Sequence, residues 1–389
     1  MVKVIFLYMS NGNATPGSYP ADWKPTHPCG PHYEQAYGTE GYFTLLKKLL
    51  DVGVIDDLKV FFESNVRPGI ANFVKHPKAY SAVIPEIRQS AWAIEKDSII
   101  FVRGGFRHWH NFLTPYKDKN WLMLYGANTG RERWTWWDVI LDDLHMKNKV
   151  DRYGRYWFPF IKPIDPNIFR PQYIEPKFDL CMGASRVHDK KGQWRTFSLI
   201  PEIEKRLGRP IKALLPGSRR NGVQSNKMYS ALDSGQFDVL QIGHAHRSRL
   251  ADYINQSKVF VHLGTSGQND RGPLEALSCG IPTIIGSPEY HTPKLRVVDG
   301  CYVFENMKDM EAIVERICNL IEDPEFSKNE IVDSFQKHLG FQESVFQMAK
   351  LFNYMVTFPP TEKTKNLMPA IFEVLTAYEN PTKSKEIGY

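Results

Sequence analysis

The chain has 389 residues, 42% of them hydrophobic and 24% charged, with a formal net charge of +6. That length exceeds what one hydrophobic core usually spans, so two domains are expected. The composition is that of an ordinary globular protein and excludes a mostly disordered, collagen-like or coiled-coil chain. Nor does any apolar run approach the roughly 18 residues of a membrane span.

The first run, Val4-Ile5-Phe6-Leu7-Tyr8-Met9, is too short for a signal-peptide core and has no small-residue cleavage site after it. It reads as a buried strand, Val2–Tyr8. Residues 11–40 are rich in Gly, Pro, His and Tyr without periodicity, and so long a loop is usually functional or mobile. Apolar positions at Tyr42, Leu45/Leu46 and Leu49/Leu50 predict a one-faced helix that stops at Gly53. Strands are predicted at Leu58–Phe62, Ser98–Val102 and Trp121–Tyr125. Trp134 and Trp137, three apart, are read as one buried helix face running into Ile140/Leu141. Trp136, Arg131 and Arg133 stay open as a ligand platform, since aromatic faces stack on flat or ring-shaped ligands. Four prolines within Phe158–Pro171 cannot form a continuous helix or a central strand, which places a linker there. Beyond it, strands are predicted at Leu180–Met182, Ile211–Leu215, Val239–Ile242, Val259–His262, Thr283–Ile285 and Tyr302–Phe304. A helical stripe covers 309–321, and the tail from Phe341 is helical in pattern until Pro359-Pro360. Short β-branched runs alternating with helical patterns are the mark of parallel α/β units.

Two asymmetries divide the chain. Eight of nine tryptophans precede residue 158, and residues 1–172 carry 22 Lys/Arg against 17 Asp/Glu, nearly the whole net charge. The halves are expected to bind different things. Five scattered cysteines (29, 181, 279, 301, 318) without metal spacing point to a reduced, cytoplasmic protein.

The stretch 259–285 reads as a strand, a polar loop, a short helix and a second strand. Gly272-Pro273 suits the helix start and Gly280 with Pro282 its end. Glu275 is placed in the first turn, at the carboxyl end of a parallel strand, where anionic ligands of α/β sheets collect. Its carboxylate could accept two vicinal ribose hydroxyls; complementing the helix dipole explains it equally well.

The run RGPLEALSCGIPTI (271–284) resembles the nucleotide-binding core of GT-B glycosyltransferases, in particular the retaining glycosyltransferase family 4 (glycosyl transferases group 1). Neighbouring segments follow in the family's order. In ASRVHDKKG, Arg186 and Lys191 stand five apart with Gly192 next, like a G-R-x-x-x-x-K-G segment. PIDPNIFRP (163–171) is similar to the family's linker, GSPEYHTPKLRVVDGCYVF (286–304) resembles its C-terminal close, and YGTEGYFTLLKKLLDVG (37–53) loosely resembles its glycine-rich loop and first helix. The likeness extends over about 160–325 and fades in the first half.

The resemblance implies an α/β, GT-B chain: two Rossmann-like domains with a cleft between them. Residues 1–160 would bind the acceptor, 161–176 link, 177–340 bind the nucleotide sugar, and 341–389 supply helices crossing back to the N-terminal domain. It implies transfer from a nucleotide-diphosphate sugar with retention, without a catalytic metal or other cofactor. Arg186 and Lys191 would meet the charge that gathers on the leaving diphosphate, and Glu275 would complete the catalytic set. Gly267, Asn269, Asp270, Gly272 and Leu274 are the donor-loop candidates. Gly217 and His244, each just past a strand, could present backbone to the base, although tight turns explain them as well. Cleft or acceptor candidates are Gly104, Gly105, His108, His110, Asn128 and Arg131.

Two departures stand out. The family usually has a first Glu eight residues before the second; position 267 is Gly. The histidine that many members carry after a late N-domain strand is missing from the run Trp121–Asn128. Three alternatives stand beside this reading: a phage-type DNA glucosyltransferase acting on hydroxymethylated bases, suggested by the basic, aromatic first half; an inactive sugar-nucleotide binder, suggested by the two departures; and a GT-B epimerase. The acceptor is expected to be a glycan or other hydroxyl compound, with nucleic acid less favoured because no basic run of five or six residues occurs.

Overall fold

A computed structural model describes residues 1–8, 41–62, 79–83, 94–103, 112–125, 136–142, 156–183, 186–187, 189–243, 245, 247–265, 271–286, 293–362 and 364–366. The chain divides into two compact units. One is built mainly from Phe43–Ile161 with the first strand and the residues from Val345, the other mainly from Lys162–Ser344.

In the first unit, β1 (Lys3–Tyr8), α1 (Tyr42–Asp51), β2 (Asp57–Phe62), β3 (Ala79–Val83), β4 (Ile99–Arg103), β5 (Trp121–Tyr125), β6 (Val139–Asp142) and β7 (Tyr156–Pro159) follow in order. The strands form a parallel sheet in the order β3-β2-β1-β4-β5-β6-β7. Val4–Leu7, Ile99–Val102 and Trp121–Tyr125 are buried throughout. Continuous apolar runs of this kind are what a parallel sheet covered on both faces requires.

The helix expected around Trp134 and Trp137 is corrected here. Trp134 lies outside the described residues; Trp137 is buried, but Ile140 and Leu141 belong to the strand β6. An (i, i+3) apolar spacing over so few residues suits a helix or the approach to a buried strand. The β-branched Val139 and Ile140 tip it to strand once β5 offers backbone partners. Trp136 sits edge-on to Trp137, ring centroids 4.9 Å apart, with the Lys117 ammonium 5.7 Å from its own centroid. Sequence patterning also missed β3, β6 and β7, which are only four or five residues long. Pro159 closes β7, the edge strand, the kind of sheet position to which proline is confined.

The C-terminal residues of this unit are fastened to its sheet. The indole N–H of Trp121 donates to the Phe358 carbonyl at 3.2 Å. Lys365 reaches Asp138 at 2.9 Å, with side chains 5% and 0% exposed, and donates to the carbonyls of Lys117 and Asn120.

In the second unit, residues 161–177 carry neither strand nor helix. Then come β8 (Phe178–Met182), β9 (Arg186–Val187), α2 (Gln193–Ser198), α3 (Ile200–Leu207), β10 (Ala213–Pro216), β11 (Ser218–Arg219), α4 (Val223–Asp233), β12 (Val239–Gly243), α5 (Arg247–Asn255), β13 (Ser257–His262), α6 (Arg271–Ser278), β14 (Thr283–Gly286), β15 (Cys301–Phe304), α7 (Met310–Glu322) and α8 (Lys328–Leu339); α9 (Phe341–Thr357) starts in this unit and continues into the first from Val345. The main sheet is parallel in the order β12-β10-β8-β13-β14-β15. The expected stripe of α7 (Ile313, Val314, Ile317, Leu320, Ile321) is buried in the core. Asp309 caps that helix through the Ala312 N–H, and Ser327 with Glu330 forms a capping box on α8.

Buried Asn255 holds the segment leading into β8. Its amide donates to the carbonyls of Arg170 and Ala251, and its oxygen accepts from the Gln172 N–H at 2.8 Å. Cys181, Cys279, Cys301 and Cys318 are free thiols. Burial pushes the first three up to about 12. Among the described residues, no helix is long and apolar enough to cross a membrane.

Candidate nucleotide-binding site in the second unit

At the carboxyl ends of β8, β13 and β10 the chain makes three turns that pack on one another. The first carries Lys191. Arg186 and Val187 pair in parallel with Ser218 and Arg219 as a separate two-stranded ribbon. This fixes the backbone at both Arg186 and the residue after Gly217. Asp189–Lys191 then forms a single 3-10 turn, and Gly192 follows with φ +78°. A Cβ on Gly192 would fall 2.1 Å from the Leu263 carbonyl oxygen, so glycine is needed both for the left-handed backbone and for the close approach. The Thr265 N–H donates to the Lys190 carbonyl at 2.9 Å. Lys191 is therefore held on the loop that leaves β13. Lys190 is exposed, as expected of a plain surface charge.

Asp189 fastens this turn from the other side. Its carboxylate accepts from the N–H and hydroxyl of Ser225, both at 2.7 Å, and from the Gln224 N–H at 3.3 Å. It thus caps α4, whose own cap residue is Gly222 with no side chain to offer. A Cβ on Gly222 would lie 2.5 Å from the Asp189 carboxylate, so glycine leaves room for this long-range cap. Trp194 adds an indole donation to the Asp189 carbonyl at 2.9 Å. Sequence reading passed over Asp189 as ordinary loop charge. The one available signal was negative: α4 begins without Ser, Thr, Asp or Asn at its cap.

Burial pushes the Asp189 carboxyl up, but the hydrogen bonds from Ser225, Gln224 and Val223 outweigh it and hold the group below its ordinary value. A depressed carboxylate stabilises the fold above its ordinary pKa, and that contribution disappears as pH falls through the lowered value. Asp189→Ala is expected to cost about 1 kcal/mol near neutral pH, the usual worth of a helix cap. Denaturant melts should show the gap to wild type closing as the solution is acidified below the carboxylate range. A gap independent of pH would contradict this assignment.

The helix α6 carries Glu275. It starts at Arg271, one residue earlier than expected, so Glu275 is its fifth residue and lies just past the first turn. That is a correction: its N–H and that of Leu274 are already tied into the helix, and of its first residues only Arg271 and Gly272 have main-chain donors to offer, since Pro273 has none. The side chain of Leu274 is wholly buried and packs into the core rather than meeting a ligand. Gly272 lies over the Phe260 ring, where a Cβ would come to 2.9 Å. Gly280 ends the helix with φ +73°, the expected left-handed stop.

Glu275 is 1% exposed. Its carboxylate is paired with Arg247, the first residue of α5, whose guanidinium lies 5.3 Å from the Phe169 ring centroid. Arg247 is a second residue that sequence reading did not single out. A buried Glu demands a cation, yet nothing in the spacing says which of many arginines supplies it.

Gly217 (φ +120°) and Gly243 (φ +61°) are both left-handed and joined by a 2.6 Å hydrogen bond from the Gly217 N–H to the Gly243 carbonyl. A turn requirement therefore accounts for both glycines. His262, at the end of β13, is buried with Nδ1 3.1 Å from the Gly183 carbonyl. His244, Gly267, Asn269 and Asp270 lie outside the described residues, as do Gly104, Gly105, His108, His110, Asn128, Arg131 and Arg133.

The structure thus brings the Lys191 turn, the backbone of Arg186, Gly217 and the start of α6 to one end of a single parallel sheet. Residues 166–333 match the family model described as Glycosyl transferases group 1. No curated protein sequence matches the chain. Among solved structures it is similar to AviGT4, a glycosyltransferase involved in avilamycin A biosynthesis, at 13% identity over 92% of this chain and 98% of that one, with a TM-score of 0.61. It is similar to Anabaena Alr3699/HepE in complex with UDP at 13% identity, covering 91% and 100%, with a TM-score of 0.58. A mutant of S. aureus TarM, in complex with fondaparinux, α-GlcNAc-glycerol and UDP, matches at 13% identity over 67% of this chain, with a TM-score of 0.53; the chain spans 56% of the TarM length. The fold shared along nearly all of both AviGT4 and HepE is GT-B, and within it residues 166–333 of the second unit match the glycosyl transferases group 1 family.

Proposed function

We propose that the chain moves a sugar from a nucleoside-diphosphate sugar to a hydroxyl of a glycan or similar acceptor, with retention of configuration and without a catalytic metal or other cofactor, in the cytoplasm. Lys191 and Arg186 take the diphosphate, the main-chain donors at the start of α6 add to that charge, and Glu275 receives the ribose diol. The observation that carries this reading is the 2.9 Å bond from the Thr265 N–H to the Lys190 carbonyl. It draws a cation-bearing turn onto the loop that leads to a helix N-terminus. A leaving diphosphate needs such a corner, because fixed donors stabilise charge without reorganising during the reaction.

UDP is the first nucleotide to test, since the HepE and TarM structures contain it. A thermal-shift screen of UDP-, GDP-, ADP- and dTDP-sugars should raise the melting temperature with one base, following mass action. Glu275→Ala should then weaken binding of the matching nucleoside diphosphate by about tenfold or more, since hydrogen bonds to a charged group are worth about 1.5–3 kcal/mol. Undiminished affinity in that variant would remove the ribose assignment. Product anomer analysis by NMR tests retention, and turnover undiminished by chelators tests metal independence.

A further inference from the structure

We propose that Arg247 is a positioning residue for the donor: it aims the Glu275 carboxylate at the ribose hydroxyls. This rests on the reading of Glu275 given above and adds a residue outside the RGPLEALSCGIPTI segment. Four groups form a closed ring in the second unit. The Arg247 guanidinium bonds the Glu275 carboxylate, with side chains 12% and 2% exposed. The same guanidinium lies 5.3 Å from the centroid of Phe169. The Phe169 carbonyl accepts from the Ser278 hydroxyl at 2.7 Å. Ser278 is three residues on from Glu275 in the same helix, α6, which closes the ring.

Each link has a physical role. A carboxylate this deeply buried needs an opposite charge and fixed geometry, or its desolvation is uncompensated. A guanidinium suits the position because it offers several donors to a carboxylate while its charge lies within cation–π range of an aromatic ring. Phe169 is in turn fixed by Ser278, so Arg247 cannot swing away without breaking contact with the segment that leads into β8. Glu275 is a flexible side chain by itself. Paired in this way it is already ordered before the nucleotide arrives, and the ordering cost is removed from binding. Arg247 acts through Glu275, so removing either should have the same effect on the ligand.

The test is calorimetric titration of the full chain with UDP, GDP, ADP and dTDP, comparing wild type with Glu275→Ala, Arg247→Ala, Arg247→Gln, Arg247→Lys and the Glu275→Ala/Arg247→Ala double variant. Arg247→Ala is expected to weaken the bound nucleotide about tenfold, close to the effect of Glu275→Ala. The double variant should be no weaker than either single one, and Arg247→Lys should recover part of the loss. If Arg247→Ala does not fold, Arg247→Gln carries the comparison. Unchanged affinity in the folded Arg247 variants, with Glu275→Ala weakened, overturns the positioning role and leaves the donor reading intact. Additive losses in the double variant also overturn it, since Arg247 would then bind the ligand independently. Undiminished affinity in Glu275→Ala overturns the ribose assignment itself, and this inference with it.

Discussion

Lys191→Ala is expected to lower turnover by about two to three orders of magnitude, the usual worth of one preorganised donor at developing charge. The reason lies in when the charge appears. Breaking the glycosidic bond gathers negative charge on the diphosphate, so a cation aimed there gains most of its effect in the transition state and little in the ground state. Nucleotide affinity should therefore fall much less than kcat. The turn that carries Lys191 is held independently of its ammonium, by the Asp189 cap on α4, the Trp194 indole bond and the Thr265 bond to the Lys190 carbonyl. Alanine at 191 should leave those contacts in place and the melting temperature close to wild type. Steady-state kinetics with the identified donor, alongside a melt, checks both. A variant with normal kcat would take Lys191 out of the reaction.

The largest effect on stability is expected from Lys365→Met in the first unit. Lys365 and Asp138 form an ion pair at 2.9 Å with both side chains almost fully buried. The same Asp138 oxygen also accepts from the Leu122 N–H at 2.8 Å. Forming such a pair adds little, because desolvation offsets most of the attraction; removing one partner strands a buried charge at a cost of about 3–5 kcal/mol. For a domain near 200 residues that corresponds to a fall in melting temperature on the order of 10 °C. The ammonium also donates to the carbonyls of Lys117 and Asn120, which would lose a partner together. Scanning calorimetry of the wild type and variant measures the shift. A change of only 1–2 °C would mean that water replaces the ammonium and that the C-terminal residues are not fastened through this pair.

Much of the second unit was legible because its signals are local. Its strands are β-branched runs, and Val259–His262 and Thr283–Ile285 fall within one or two residues of β13 and β14. Gly280 at the end of α6 announces a left-handed stop that few other residues tolerate. The Arg186 and Lys191 spacing likewise survives as a ribbon strand followed by one turn. The first unit was harder to read. Its strand β6 is four residues long and follows two tryptophans whose spacing imitates a helix face. Such an ambiguity is resolved only by the neighbouring strand.

By itself, the amino-acid sequence determined the α/β class, most of the strands of the second unit and the glycine stop of α6. Those features depend on periodicity, turn chemistry and side-chain type, all carried within a few neighbouring residues. Only the tertiary structure decided that Asp189 caps a helix 34 residues further on, that Arg247 pairs with Glu275, and that Lys365 reaches back to Asp138. A buried charge requires a partner, and that requirement is visible in one residue. Which residue satisfies it depends on where the folded chain brings distant segments together.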